Sequence, residues 1–328
     1  MPRVVVVFTG GTISTAFDPV AGGNVPVLDG TAIIERTPGL TEVADVVAVD
    51  LGRTPASHFT FPMLLDIAAT VRASLADPTV DGAVVVQGTD TIEETSFCWD
   101  LVLAGPKPVV VTGAMRASDA PGFDGPVNLR DAVRVAADPA MRETGVVVCL
   151  GGSIEPADDA LKMHTSSLTT FASPNGGSLG RVDEAGVSVF RRRAARRSVA
   201  TTRAAERVHL ITATVAMDGS LLDAAVAAGA DGIVVAATGA GNTDPRLLAA
   251  AVRAIDAGIP VALASRCPSG AAGAAYAFPG GGATWLRAAA IPVGHLCATK
   301  ARVALALGIG AGLHRDGLAE LLADPAAV

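Results

Sequence analysis

Thr12 follows the apolar run Val4 to Phe8 in the stretch TGGT, and Thr89 and Asp90 follow the run Ala83 to Val86 in QGTD. Two hydroxyls and a carboxylate thus stand at the ends of strand-like segments. Lys162, in DDALKMHTSS, adds an amine and is the only lysine for more than fifty residues on either side. A threonine hydroxyl attacks an acyl carbon only if its proton is removed. A lysine whose pKa is lowered by desolvation can accept that proton. This set suits acyl chemistry that needs neither metal nor cofactor. The five histidines (His58, His164, His209, His295, His314) show no paired ligand spacing, and neither HExxH nor GxSxG occurs.

Each of these motifs also has a plainer reading. In TGGT the glycines permit a tight turn that brings backbone N–H groups close to a bound group, but a glycine turn with threonine hydroxyls as fillers explains them equally well. That second reading leaves Thr12 without a purpose. A phosphate site is disfavoured, because the loop is neither GxGxxG nor GxxxxGK[ST] and no Lys or Arg lies between Arg3 and Arg36. In QGTDTIEET, Thr91 and Glu94 have the spacing of a capping box, and Glu93 and Glu94 fall in a first helical turn, so this half of the motif is expected to be structural. An isolated lysine is most often a surface charge.

The elements that must position these groups follow from periodicity. RVVVVFTGG, DVVAVDLG, DGAVVVQGTD, PVVVTGAM and GVVVCLGG are short Val-rich runs ending in Gly or a small loop. Between them lie FPMLLDIAATVRASLADP, TIEETSFCWDLVLAG and PVNLRDAVRVAADPAMRE, with apolar residues at spacings of three and four. Continuous apolar strands alternating with helices predict an α/β fold, a parallel sheet covered on both faces with its ligands at the carboxyl edge. From Ser153 to Phe190 the pattern breaks into loop and short strand-like pieces. The basic run FRRRAARRSVATTRAAER then reads as a solvated inter-domain segment. After Arg207 the alternation resumes with VHLITATV, GIVVAAT and PVALASR. The expectation is a larger N-terminal parallel-sheet domain over residues 1–190, a linker over 191–206 and a smaller C-terminal α/β domain over 207–328.

Composition narrows the function classes. Half of the 328 residues are apolar but only 4% are aromatic, so the core must be built from Val, Leu, Ile and Ala. A net charge of -7 argues against a nucleic-acid partner, which calls for a basic face. No charge-free apolar stretch is long enough to span a bilayer, and the first residues reach a strand without a signal-peptide pattern, so a cytoplasmic protein without membrane contact is expected. Cys98, Cys149, Cys267 and Cys297 form no CxxC pair and read as free thiols.

Taken in order, TGGTI at Thr9 to Ile13, GTDTIEET at Gly88 to Thr95, TGAMR at Thr112 to Arg116 and DGPVNLRDA at Asp124 to Ala132 resemble the bacterial-type L-asparaginase and glutaminase-asparaginase family. Lys162 before HTS and FASPN, then DGIVVAATGAGN and SRCPSG, extend the resemblance over almost the whole chain. It implies hydrolysis of the side-chain amide of L-asparagine, or of L-glutamine, to the acid and ammonia through a covalent acyl-threonine intermediate. Thr12 matches the nucleophile. Thr89, Asp90 and Lys162 match the second catalytic group. Asp90 would also hold the substrate's α-amino group and Ser57 its α-carboxylate, with Gly11, His58 and Gly88 lining the same pocket. Ala114 would offer its carbonyl to the leaving nitrogen. Asn242 matches a position that reaches a neighbouring subunit, which implies a homodimer or homotetramer. A relative acting on another small primary amide, an amidotransferase subunit and a non-catalytic amino-acid binder are the alternatives.

The sequence departs from the family pattern in two places. The loop STAFDPVAGGNVPVLDG has no tyrosine, where the family has one touching the nucleophile, and no acid occurs from Ser269 to Gly310, where the family often has a partner-subunit Glu. The sole tyrosine, Tyr276, either replaces one missing contact or packs as an ordinary aromatic residue. Gln87 stands where the family more often has His, a change from which little effect is expected.

Overall fold

Valine restricts its own χ1 and packs well on a pleated surface, so the Val-rich runs form strands. The computed structural model describes residues 1–193 and 195–325, in two compact units, Met1–Arg196 and Arg197–Val328. Ala194, within the expected linker, and residues 326–328, at the end of the expected second domain, lie outside the described residues.

In the first unit, β1 (Arg3–Phe8) leads to a hairpin, β2 (Thr15–Asp18) and β3 (Gly23–Pro26), then to short helices α1 (Gly30–Glu35) and α2 (Leu40–Val43) and to β4 (Asp45–Asp50). Next come α3 (Phe61–Leu75), β5 (Gly82–Val86), α4 (Ile92–Val102), β6 (Val109–Thr112), α5 (Gly125–Ala137) and β7 (Val146–Leu150). The remaining strands are short: β8 (Ser153–Pro156), β9 (Leu161–Lys162), β10 (Phe171–Ala172), β11 (Gly180–Asp183) and β12 (Gly186–Val189).

Eight strands share one sheet in the order β12-β11-β8-β7-β6-β5-β1-β4. The five predicted runs, β1, β4, β5, β6 and β7, are its parallel part, while β8, β11 and β12 extend it antiparallel. Every residue of β5, β6 and β7 is buried, as strands covered on both faces must be. Each buried valine contributes on the order of 2 kcal/mol of transfer free energy. Trp99 on α4, fully buried, donates its indole N–H to the Leu64 carbonyl of α3 at 2.9 Å, which joins the two helices on one face. On the other face α5 packs Leu129, Val133 and Ala136 into a core with Val4, Val84 and Val147.

The second unit holds β13 (Val208–Thr212), α6 (Ser220–Ala227), β14 (Gly232–Ala237), α7 (Pro245–Asp256), β15 (Val261–Ser265), α8 (Gly282–Arg287), β16 (Ile291–Pro292), α9 (Ala298–Gly310) and α10 (Arg315–Leu322). Its four strands are parallel in the order of the chain. Trp285 and Leu247 lie at the centre of its core. Among the described residues no helix is long and apolar enough to cross a membrane.

The basic run is not solvated throughout. Arg193 and Arg196 turn inward onto Asp100, a carboxylate 1% exposed in the last turn of α4, at 2.8 and 3.0 Å. Arg193 also reaches Asp158 at 2.9 Å. A buried carboxylate is costly unless paired, and these arginines supply the pairing.

Candidate active site

Strand β1 lies between β5 and β4, in register so that Phe8 sits beside both Val86 and Asp50. The three chains therefore leave the sheet side by side at the carboxyl edge, and each enters a single 3-10 turn: Thr12–Ser14, Ala56–His58 and Thr89–Thr91. Thr12 opens the central turn, Ser57 sits in one flanking turn, and Thr89 and Asp90 sit in the other.

Glycines let these turns touch. Gly10 and Gly11 have φ of 105° and 98°, which residues with a Cβ rarely adopt. A Cβ on Gly10 would come within 2.8 Å of the Arg53 α-carbon, and one on Gly113, after β6, within 2.4 Å of the Gln87 carbonyl oxygen. Gly88 rests against the Ala56 methyl group, beside Ser57.

The hydroxyls of TGGTIST have separate fates. Thr9, buried, donates to the Val86 carbonyl at 3.0 Å and so fastens β1 to β5. Ser14 donates to the Gly11 carbonyl at 2.7 Å, and Thr15 to the Thr12 carbonyl at 2.9 Å. Among the described residues, the Thr12 hydroxyl alone of the four takes no hydrogen bond, and its residue is only partly buried. As first residues of their turns, Thr12 and Thr89 also carry backbone N–H groups with no acceptor inside those turns.

The Lys162 ammonium donates to the Thr89 hydroxyl at 2.9 Å and to the Asp90 carboxylate at 2.7 Å. The Lys162 side chain is 15% exposed and that of Asp90 is 74% exposed. This isolated lysine is thus buried along its stem and paired at its tip. Charge-assisted bonds of this length fix a flexible side chain in one place.

The turn around Ala114 is built by DGPVNLRDA. Asp124 accepts the backbone N–H groups of Met115 and Arg116 at 3.0 and 2.9 Å. Asn128, buried on α5, donates to the Gly113 carbonyl at 3.0 Å and accepts the Gly151 N–H at 3.1 Å. Its side-chain amide thereby ties the loops after β6 and β7 together and leaves Ala114 fully buried beside the Thr89 turn.

One assignment from the sequence changes. Thr91 does not cap α4 with its side chain; its hydroxyl donates instead to the Ala56 carbonyl at 3.2 Å and holds the Ser57 turn against the Asp90 turn. Gln87, fully buried, accepts the Thr95 hydroxyl at 2.9 Å and donates to the Gly88 carbonyl at 3.1 Å, which fixes the entry to GTD.

Gly11, Thr12, Ser57, His58, Gly88, Thr89, Asp90, Ala114 and Lys162 all belong to the first unit, and Ser57 and His58 are exposed. Asn242 and Tyr276 belong to the second. Asn242 closes a tight turn whose carbonyl accepts the Thr238 N–H at 3.0 Å, and its side-chain oxygen is buried with no donor among the described residues. Tyr276 is half exposed, its ring tilted against Phe278 at 5.7 Å between centroids.

The sequence model described as "Asparaginase, N-terminal" matches residues 3–195, and the one described as "Glutaminase/Asparaginase C-terminal domain" matches residues 207–322. A probable L-asparaginase of Deinococcus radiodurans is 35% identical over 325 residues, which cover 97% of this chain and 96% of that protein. L-asparaginase 2 of Escherichia coli is 31% identical over 83% of this chain and 80% of its own. A glutamyl-tRNA(Gln) amidotransferase component of Methanothermobacter thermautotrophicus is 29% identical, over 82% of this chain but 64% of its own. Among solved structures, a probable cytoplasmic L-asparaginase from Campylobacter jejuni superposes with a TM-score of 0.87 at 27% identity, over 98% of this chain and 99% of that one. Motif order, fold and full-length similarity agree, and the chain belongs to the bacterial-type L-asparaginase family.

Proposed function

We propose that this protein is an L-asparagine amidohydrolase with Thr12 as nucleophile. The observation that carries the reading is the hydroxyl of Thr12, unbonded among the described residues, at the centre of three touching turns, next to the turn in which Lys162 grips Thr89 and Asp90. Thr12 Oγ1 attacks the side-chain amide carbon as its proton leaves for the leaving nitrogen. Backbone N–H groups of Thr12 and Thr89 receive the oxyanion, and loss of ammonia gives an aspartyl ester. Water then cleaves the ester to aspartate and the free threonine. Lys162, donating to Thr89, lowers the cost of deprotonating that hydroxyl when it activates the water or the leaving group. Asp90 holds the substrate ammonium and Ser57, with His58 beside it, the carboxylate.

The family relationship supports amide hydrolysis, and the likeness to a Campylobacter protein named as cytoplasmic supports a cytoplasmic site of action. Assembly as a homodimer or homotetramer, with Asn242 and Tyr276 near a neighbouring subunit's site, belongs to the same proposal. A second reading, glutamine or another small primary amide as substrate, draws support from the hairpin over residues 15–26, which presents Phe17 and no tyrosine.

Ammonia release from asparagine, glutamine and simple primary amides, measured for wild type and Thr12→Ala, tests the assignment. Expected are turnover of asparagine by wild type, none by the variant, and an aspartyl adduct on the Thr12 peptide after acid quench. Equal rates, or no release by either protein from any amide, would overturn it.

A further inference from the structure

Lys162 lies on a strand of two residues, β9, paired among the described residues only with β10, also of two residues. A ladder this short cannot fix a side chain by itself. Helix α4 supplies the missing constraint. Glu93, in its first turn, accepts the backbone N–H of Lys162 at 3.0 Å. Asp100, seven residues on and so on the same face two turns later, binds Arg193, which binds Asp158 just before the strand. The segment 158–162 is therefore held at both ends from one helix face. That same helix begins at the turn carrying Thr89 and Asp90.

We propose that Glu93 is a positioning residue: its carboxylate holds the Lys162 backbone at the distance from which the ammonium reaches Thr89 and Asp90 together. The proposal rests on the role given to Lys162 above. Without Glu93 the backbone of a marginal strand is free to drift, and a displacement of an ångström is enough to break two charge-assisted bonds.

The chain has three lysines, so acetylation can be read at each by mass spectrometry. Lys107 is the internal control, because its ammonium bonds to the carbonyls of Leu75 and Asp77 and should label alike in every variant. In Glu93→Ala and in Glu93→Asp, which keeps the charge but shortens the reach, Lys162 should label several-fold faster than in wild type. Glu93→Gln, which keeps an acceptor oxygen, should restore slow labelling. Asparagine turnover should fall roughly tenfold to a hundredfold in kcat for the Ala and Asp variants, with KM within about twofold. Lys162 labelling at the wild-type rate in either variant overturns the proposal, as does a rise in KM with kcat unchanged. The labelling requires no turnover, so a wild-type protein inert toward amides would refute the proposed function and leave this test standing.

Discussion

The α-carbon of Gly11 stands against the backbone nitrogen of Gly88, so close that a Cβ built on Gly11 would come within 2.2 Å of it. The contact joins the turn that opens with Thr12 to the turn that opens with Thr89, and both partners are backbone atoms that no side-chain rotation can move aside. Gly11→Ala must therefore push the two turns apart, and it adds the strain of φ near 98°, of order 1–3 kcal/mol. Ammonia release should fall at least a hundredfold, with a lowered melting temperature. Gly23→Ala is the control: nothing lies within 4 Å of its Cβ and its φ is ordinary, so activity and melting temperature should stay near wild type. Full activity in Gly11→Ala would show that the spacing of the two turns is not critical.

Lys162 and Asp90 divide their work differently. Lys162→Met keeps the stem and removes the donor to Thr89, and should lower kcat by roughly 10²–10⁴. Lys162→Arg should not rescue it, since the guanidinium is longer and spreads its charge over a planar fork, and so does not put a compact charge 2.9 Å from Thr89 and 2.7 Å from Asp90. Asp90→Asn should act chiefly on KM for asparagine, because the substrate ammonium loses its counter-charge. Steady-state kinetics with circular dichroism of each variant checks the split.

How much of the fold and site is legible in the sequence depends on whether a residue's partner is local. The five parallel strands and their glycine ends are readable because burial on both faces leaves a continuous apolar run. The grouping of Thr12, Ser57, Thr89 and Ala114 in one unit follows from strand order at the carboxyl edge. Thr91 misleads because a capping box is a local pattern, while its actual acceptor, Ala56, lies 35 residues away. Glu93 is absorbed into the helix dipole for the same reason, its partner being 69 residues distant. The inward turn of Arg193 and Arg196 does leave a signal. Asp100 interrupts the apolar SFCWDLV, and a carboxylate on a buried helix demands a cation from somewhere.

The thiols separate by environment. Burial pushes the Cys98 thiol up to about 12, and burial with the nearby charge of Asp131 also raises that of Cys149, whereas Cys267 is exposed. Since only the thiolate reacts, Cys267 should be alkylated within minutes at pH 8 while Cys98 and Cys149 react only on unfolding. Peptide mapping after a timed iodoacetamide pulse, with and without denaturant, reads this directly. Early modification of Cys98 would mean that α4 opens locally, contrary to the packing around Trp99.

Asp131 offers a test through pH. It is buried on α5, and burial raises its carboxyl above the ordinary aspartate value, against the pull of Arg134 and Arg130. Arg134 stands 4.0 Å away, too far for a good hydrogen bond. A carboxyl with a raised folded pKa binds its proton more tightly in the folded state, so its ionisation costs stability. That cost is absent below the unfolded value of about 3.9, grows as pH rises through the folded value, and is complete at neutral pH. Asp131→Asn removes the charge with little change of shape. Its melting temperature should exceed that of wild type at pH 7, and the gap should close as pH falls toward 4. A gap independent of pH would place its cause in packing rather than in the charge, and a less stable variant at pH 7 would show that the arginines more than offset the burial.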